Sequence, residues 1–182
     1  FSSGEGVEKD YQKAKKWLLA VAEKGHVNAQ FYLGNLYLNG RGEKANPIVA
    51  KQWYKKAANA GHAEAQYAIA MLDYMGIDGQ TDYEAALAMF HKSANGCDRN
   101  AQYYLGHHYY YGLGVKKEMM EAYKWFDLAA ANGHSDAHYM RSIVAHHLTE
   151  KQVDTAHKNA LQWFDANHDN PHKHYDLKPH SH

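Results

Sequence analysis

The sequence predicts an all-α protein: an α/α superhelical solenoid of about four 36-residue helix-turn-helix units, closed by a C-terminal capping helix. Three observations predict it. The pairs Ala29-Gln30, Ala65-Gln66, Ala101-Gln102 and Ala137-His138 recur at a constant step of 36. Gly40, Gly76 and Gly112 keep the same step, as do Ala14, Ala50, Ala86 and Ala122. Within each step the apolar residues follow helical spacing, and only 3 prolines interrupt the chain. A fixed period of this length marks units that bury their apolar faces on their neighbours.

Each unit reads as two helices. In the first, NAQFYLGNLYLNG, a helical wheel puts Ala29, Leu33, Leu36 and Tyr37 on one apolar face. Gly40 supplies the left-handed residue that ends it. In the second, NPIVAKQWYKKAANAG, Asn46 is placed as N-cap with Pro47 at the first helical position, and Gly61 closes it. Asp10 and Asp82 fall in the same cap column. Ala50, Trp53, Ala57 and Ala58 form the inner face. The units fall near 1–27, 28–63, 64–99, 100–135 and 136–166.

Two further columns have a packing reason. Gly34, Ala70, Gly106 and Ser142 lie mid-helix, where glycine costs about 1 kcal/mol relative to alanine, so two helices are expected to cross closely there. Trp17, Trp53 and Trp125, with Met89 in the remaining slot, are expected in the core between hairpins. His26, His62 and His134 share a column at the hairpin junction and are expected to be structural.

The pattern A-x-x-x-L-G-x-x-Y-x-x-G-x-G over Ala29 to Gly42 and Ala101 to Gly114, followed by A-x-x-W-x-x-x-A-A-x-x-G-H over Ala50 to His62 and Ala122 to His134, resembles the Sel1-like repeat family. The resemblance runs from residue 1 to about 166. It implies a tetratricopeptide-like α/α solenoid acting mostly as an adaptor.

The chain departs from the pattern in several places. Phe1 to Val7 aligns in phase with Tyr37 to Glu43, so the visible chain is expected to open at the end of a helix whose beginning lies upstream, in a longer natural protein or one trimmed or disordered there. In the unit beginning at Glu64, Asp73 takes the tyrosine column beside Tyr74, and Gly76-Ile77-Asp78-Gly79 shifts the second loop glycine; sequence drift explains this more simply than a local distortion. Thr149-Glu150-Lys151-Gln152 has capping-box form, and the helix after it repeats Ala-x-x-Trp as Ala160 and Trp163 two residues out of phase. That segment is expected to be the C-terminal cap. Residues 167–182 hold five histidines and little apolar content and are expected to be a flexible tail.

Composition narrows the function. Lysine plus arginine and aspartate plus glutamate both total 20, which argues against nucleic acid or an anionic membrane as the main partner. Lys13, Lys15, Lys16, Lys51, Lys55 and Lys56 are expected to be a solvated helix face. No apolar run approaches a membrane span, and no signal peptide is visible, although one removed upstream would make the protein periplasmic or secreted rather than cytoplasmic. Cys97 is the sole cysteine, in a column where other units have glycine, and is expected to be a loop thiol. No phosphate-binding glycine loop, nucleophile elbow or distinctive carboxylate pair is present, so a non-enzyme without cofactor is expected.

The columns opposite the apolar face of the first helices are rich in tyrosine and methionine, residue types that suit a concave binding surface. The column of Phe31, Tyr67, Tyr103 and Tyr139 is expected to pack within the stack. Asn35, Asn39, Met71, Tyr74, Met75, His107, Tyr110, Tyr111, Ile143 and His147 are the candidate contacts to another protein or peptide. An envelope module acting on cell-wall material is the alternative. Another is metal binding by His172, His174, His180 and His182 of the tail, where weak adventitious Ni²⁺ or Zn²⁺ uptake is the simpler expectation.

Overall fold

The computed structural model describes residues 3–40, 44–77 and 79–167, with side chains from Asp10 onward. Among the described residues there are nine helices and no strand. They form two compact units, residues 1–82 and 83–182.

The first unit holds α1 (Ser3–Glu23), α2 (Val27–Asn39), α3 (Pro47–Asn59) and α4 (Ala63–Met75), each packed on the next. Its core gathers Ala22, Ala29, Leu33 and Trp53, flanked by Leu18, Leu19, Val21, Leu36, Tyr37 and Val49. The second unit holds α5 (Tyr83–Asn95), α6 (Arg99–Tyr111), α7 (Met119–Ala131), α8 (Ala137–Ala145) and α9 (Glu150–Ala166). Here α7 is the hub against which α6, α8 and α9 all pack. Its core gathers Ala122, Tyr123, Phe126, Met140, Val144 and Ala156.

The helix boundaries follow local chemistry. Asn46 accepts from the Val49 amide at 3.1 Å, with Pro47 opening α3. Gly40, Gly76 and Gly112 end α2, α4 and α6 in the left-handed conformation, their N–H groups donating to the carbonyls of Leu36, Leu72 and His108. Across each following loop one backbone bond recurs. Asn46 donates to the Tyr37 carbonyl at 2.7 Å, Asp82 to Asp73 and Glu118 to Tyr109, both at 2.9 Å. The expected capping box also forms, since Thr149 caps α9 while Gln152 accepts from the Thr149 amide at 2.9 Å.

Two expectations fail at the start of the chain. The repeat phase puts a glycine loop before Asp10 and a cap at Asp10, but α1 runs unbroken from Ser3 to Glu23. Each residue added to an existing helix gains a backbone hydrogen bond, which here outweighs about 1 kcal/mol for each of Gly4 and Gly6. Trp17 is also not a core residue. It is 66% exposed, against 9% for Trp53 and 2% for Trp125. Trp53 joins Ala22 of α1 in the core, and Trp125 meets His91 of α5 and Trp163 of α9. The column buries its tryptophan only where neighbouring helices cover it.

The small-residue column does mark close crossings. A Cβ on Gly34 would lie 2.5 Å from the Tyr54 ring, and one on Gly106 would lie 2.6 Å from Phe126. These rings belong to a column of Tyr54, Phe90 and Phe126, all fully buried, which the sequence reading passed over. It was visible as three aromatics at the repeat step. Asp73, the odd residue of its column, is buried and ion-paired with Lys51, so α4 keeps its helix through the substitution.

Candidate partner-binding surfaces

Helix α6 begins at Asp98, whose carboxylate accepts from the amides of Asn100 at 2.8 Å and Ala101 at 3.2 Å. Thirteen residues then run to Gly112. Tyr103, His107 and Tyr111, four residues apart, therefore form one stripe. The rings touch along it, with centroids 4.6 Å apart for Tyr103 and His107 and 5.6 Å for His107 and Tyr111. Tyr110 meets Tyr111 edge-on at 4.7 Å and reaches toward His147, in the turn after α8, at 6.3 Å. The Lys117 ammonium lies 5.4 Å from the Tyr110 ring centroid, within cation–π range.

The lower end of the stripe is anchored. Tyr103 stacks on His134 at 4.0 Å and meets Phe126 at 5.6 Å. The equivalent residues of the first unit do the same, Phe31 stacking on His62 at 4.6 Å. His62 also caps α4, its Nδ1 accepting from the Ala65 amide at 3.3 Å. Two of the three junction histidines thus have a packing role, whereas His26 is exposed and makes no side-chain cap bond. The aromatic column departs from expectation at its last member. Tyr139 is 70% exposed, since α8 has only nine residues and Asp136 and His138 beside it are exposed as well.

The upper end is open. Tyr111 is 57% exposed, and His147 is exposed too. Burial drops the His107 pKa to about 4, with smaller contributions from His108 and His134. His91, His108 and His134 are lowered as well, mainly by burial. His107 is therefore neutral at physiological pH and offers an aromatic, hydrogen-bonding surface without charge. Ile143, half-buried, packs against the same core cluster as Tyr110.

The remaining candidates lie in the first unit. Asn35 accepts from the Tyr54 hydroxyl at 2.6 Å. Asn35 and Asn39 line a depression of about 370 Å³ with Leu18, Tyr32 and Leu36. Tyr32 is exposed there and escaped the sequence reading, because its column holds tyrosine, alanine, tyrosine and methionine and so shows no consistent type. Met71 and Tyr74 of α4 are half-buried and Met75 is exposed. Apart from His147, which lies in the turn after α8, the candidates thus sit on the first helices of the repeats.

One polar cluster of the second unit was not foreseen. Asp127, buried on α7, accepts from Arg141 of α8 and from His157 Nδ1 of α9, both at 2.6 Å. It ties two helices to the hub, and no sequence column announces it because its partners lie in the irregular terminal segment. Among the described residues no group of three metal-ligating side chains is assembled. None of the helices is long and apolar enough to cross a membrane. The tail histidines lie outside the described residues.

The Sel1 repeat profile matches four stretches of the chain, residues 1–26, 27–62, 63–96 and 99–134. A Sel1 repeat protein from Oxalobacter formigenes is similar at 30% identity and a TM-score of 0.69, over 87% of this chain and 65% of that one. The chain thus spans just under two thirds of that protein. A protective antigen of uropathogenic Escherichia coli strains, displaying an SLR fold, is matched at 21% identity and a TM-score of 0.46, over 92% and 53% of the two chains. An immunity protein from Pseudomonas aeruginosa is matched at 15% identity and 0.34, over 97% and 91%. No curated protein matches the chain.

Proposed function

Since the chain belongs to the Sel1 repeat family, with its all-α solenoid of about four repeats, we propose that it is an adaptor whose protein or peptide partner contacts the tyrosine- and histidine-rich face of α6. Sel1 repeat proteins generally mediate protein–protein interactions and are typically non-catalytic scaffolds. The similar Sel1 repeat protein from Oxalobacter formigenes is bacterial, which makes bacterial signalling or host interaction the setting we propose.

The observation that carries the reading is the open end of the α6 stripe. Its inner end is held by Tyr103 stacking on His134 and meeting Phe126 edge-on, while Tyr111 and His147 face solvent. A rigid, aromatic patch loses little conformational freedom on binding and buries a large area, the features of interface hot spots. Lys117 at its edge adds one positive charge.

The test compares wild type with a Tyr110→Ser, Tyr111→Ser double variant against a partner captured from the native source. Loss of binding with an unchanged unfolding midpoint supports the reading. Equal affinity in the two proteins rejects the surface.

A further inference from the structure

We propose that the chain pairs with a second copy of itself through the exposed face of α1. The two helices lie antiparallel about a two-fold axis, and Trp17 of each copy seats on Ala14 of the other. The pairing goes beyond the adaptor reading and does not depend on it.

The face is one that the repeat buries elsewhere. Asp10, Ala14, Trp17 and Val21 follow one another at steps of three or four residues and so lie along one side of α1. Ala14 is exposed, whereas Ala50, Ala86 and Ala122 at the same repeat position are completely buried. Trp17 is exposed where Trp53 and Trp125 are buried, and Leu18 is half-buried where Tyr54, Phe90 and Phe126 are enclosed. The first helix of a repeat supplies that cover, with Gly34 of α2 against the Tyr54 ring and Gly106 of α6 against Phe126. Residues 4–10 bring no such helix back onto α1. The helices α2 and α6 end and turn at Gly40 and Gly112, but α1 runs straight through the same repeat position at Gly4.

Size and charge select the occupant. The stripe sets a large residue beside a small one, a turn apart. When two such stripes run antiparallel about an axis midway between residues 14 and 17, each indole meets an alanine. In a parallel pair Trp17 would meet Trp17, and like charges would align. The antiparallel register also brings Asp10 of one copy within three residues of Lys24 of the other, roughly 4.5 Å along the axis. Both side chains are exposed, Lys24 lying in the turn after α1, and the two-fold axis forms the ion pair twice. Lys13, at the outer edge and also exposed, is offset from its own counterpart by about five residues, roughly 7.5 Å. The exposed indole provides the largest apolar area to bury. One face of a 21-residue helix falls short of the roughly 800 Å² per partner of a standard interface, so the dissociation constant should lie at roughly tens to hundreds of micromolar.

The experiment is sedimentation velocity of the full chain across about 5 to 500 micromolar, with four variants beside wild type. Wild type should pass from monomer to dimer over this range. Trp17→Ser should weaken pairing roughly tenfold or more while the unfolding midpoint in dilute solution stays unchanged, because the indole is exposed in the single copy. Asp10→Lys and Lys24→Asp should each weaken it roughly two- to tenfold, and the two combined should recover wild-type pairing. A chain that stays monomeric throughout overturns the proposal and leaves the face to a different protein. A dimer indifferent to Trp17→Ser also overturns it, since another surface then holds the copies together. Single charge reversals without effect, or a combined variant that pairs no better than either single one, overturn the antiparallel arrangement.

Discussion

The ring of Tyr54 lies across Gly34 so closely that a single added methyl group would come within 2.5 Å of it. The same relation holds between Phe126 and Gly106, two repeats further along. Both rings are fully buried, so neither has room to retreat. Gly34→Ala and Gly106→Ala should therefore each destabilise the protein. The gain in helix propensity, about 1 kcal/mol, is outweighed by an overpacking cost of typically 1–3 kcal/mol. Urea unfolding should show lower midpoints, with part of the loss restored when Phe126→Leu is combined with Gly106→Ala. A raised midpoint in either single variant would show that the ring can yield.

Cys97 occupies a position where the backbone is left-handed, at a φ of 72°, and where Gly25, Gly61 and Gly133 stand in the other units with φ of 90°, 87° and 80°. A side chain in that region costs roughly 1–2 kcal/mol, partly offset by glycine's greater freedom in the unfolded chain. Cys97→Gly should raise stability by about 0.5–1 kcal/mol, and Cys97→Ala should not. Thermal unfolding under reducing conditions separates the two, and equal gains would point to the thiol rather than the backbone.

The carboxylate of Asp127 should be the most sensitive polar group of the second unit. Removing it leaves Arg141 and His157 without the bonds that hold α8 and α9 to α7. Loss of a buried partner typically costs 3–5 kcal/mol, and the partial exposure of both cations lowers this to roughly 2–3 kcal/mol for Asp127→Ala. Hydrogen exchange should quicken in α8 and α9 more than in α6. Uniform quickening would place the effect elsewhere.

Acid should loosen the fold through its buried histidines. His107 has a pKa of about 4 in the folded protein, against 6.5 when unperturbed. Stability from this group is complete above pH 6.5. It is lost as pH falls toward 4, because the unfolded chain takes up the proton first. The difference bounds the loss at roughly 3 kcal/mol, less with partial solvent access. His91, His108 and His134 act in the same direction. Denaturation curves across this range should show a shallower pH dependence for His107→Phe than for wild type. An identical slope would remove His107 from the account.

Much of this architecture was legible in the residues themselves. The 36-residue step located the hairpins, the Asn46 cap and the left-handed glycines, and the capping-box pattern located the Thr149 cap, because each depends on chemistry within a few residues along the chain. The candidate surface was legible only as columns. Periodicity places Trp17, Trp53 and Trp125 on the same face of their helices but does not say whether another helix covers that face. Trp17 and Tyr139 are exposed for want of such cover.

Sequence alone therefore determined the unit, its two helices and the family they belong to, since local hydrogen bonding and helical period are written every 36 residues. Only the tertiary structure decided which columns are buried, that the Tyr54 hydroxyl orients Asn35, and that Asp127 gathers Arg141 and His157. The physical reason is the same in each case. Burial and side-chain pairing are properties of neighbours brought together in space, and the partners of Asn35 and Asp127 lie 14 to 30 residues away along the chain.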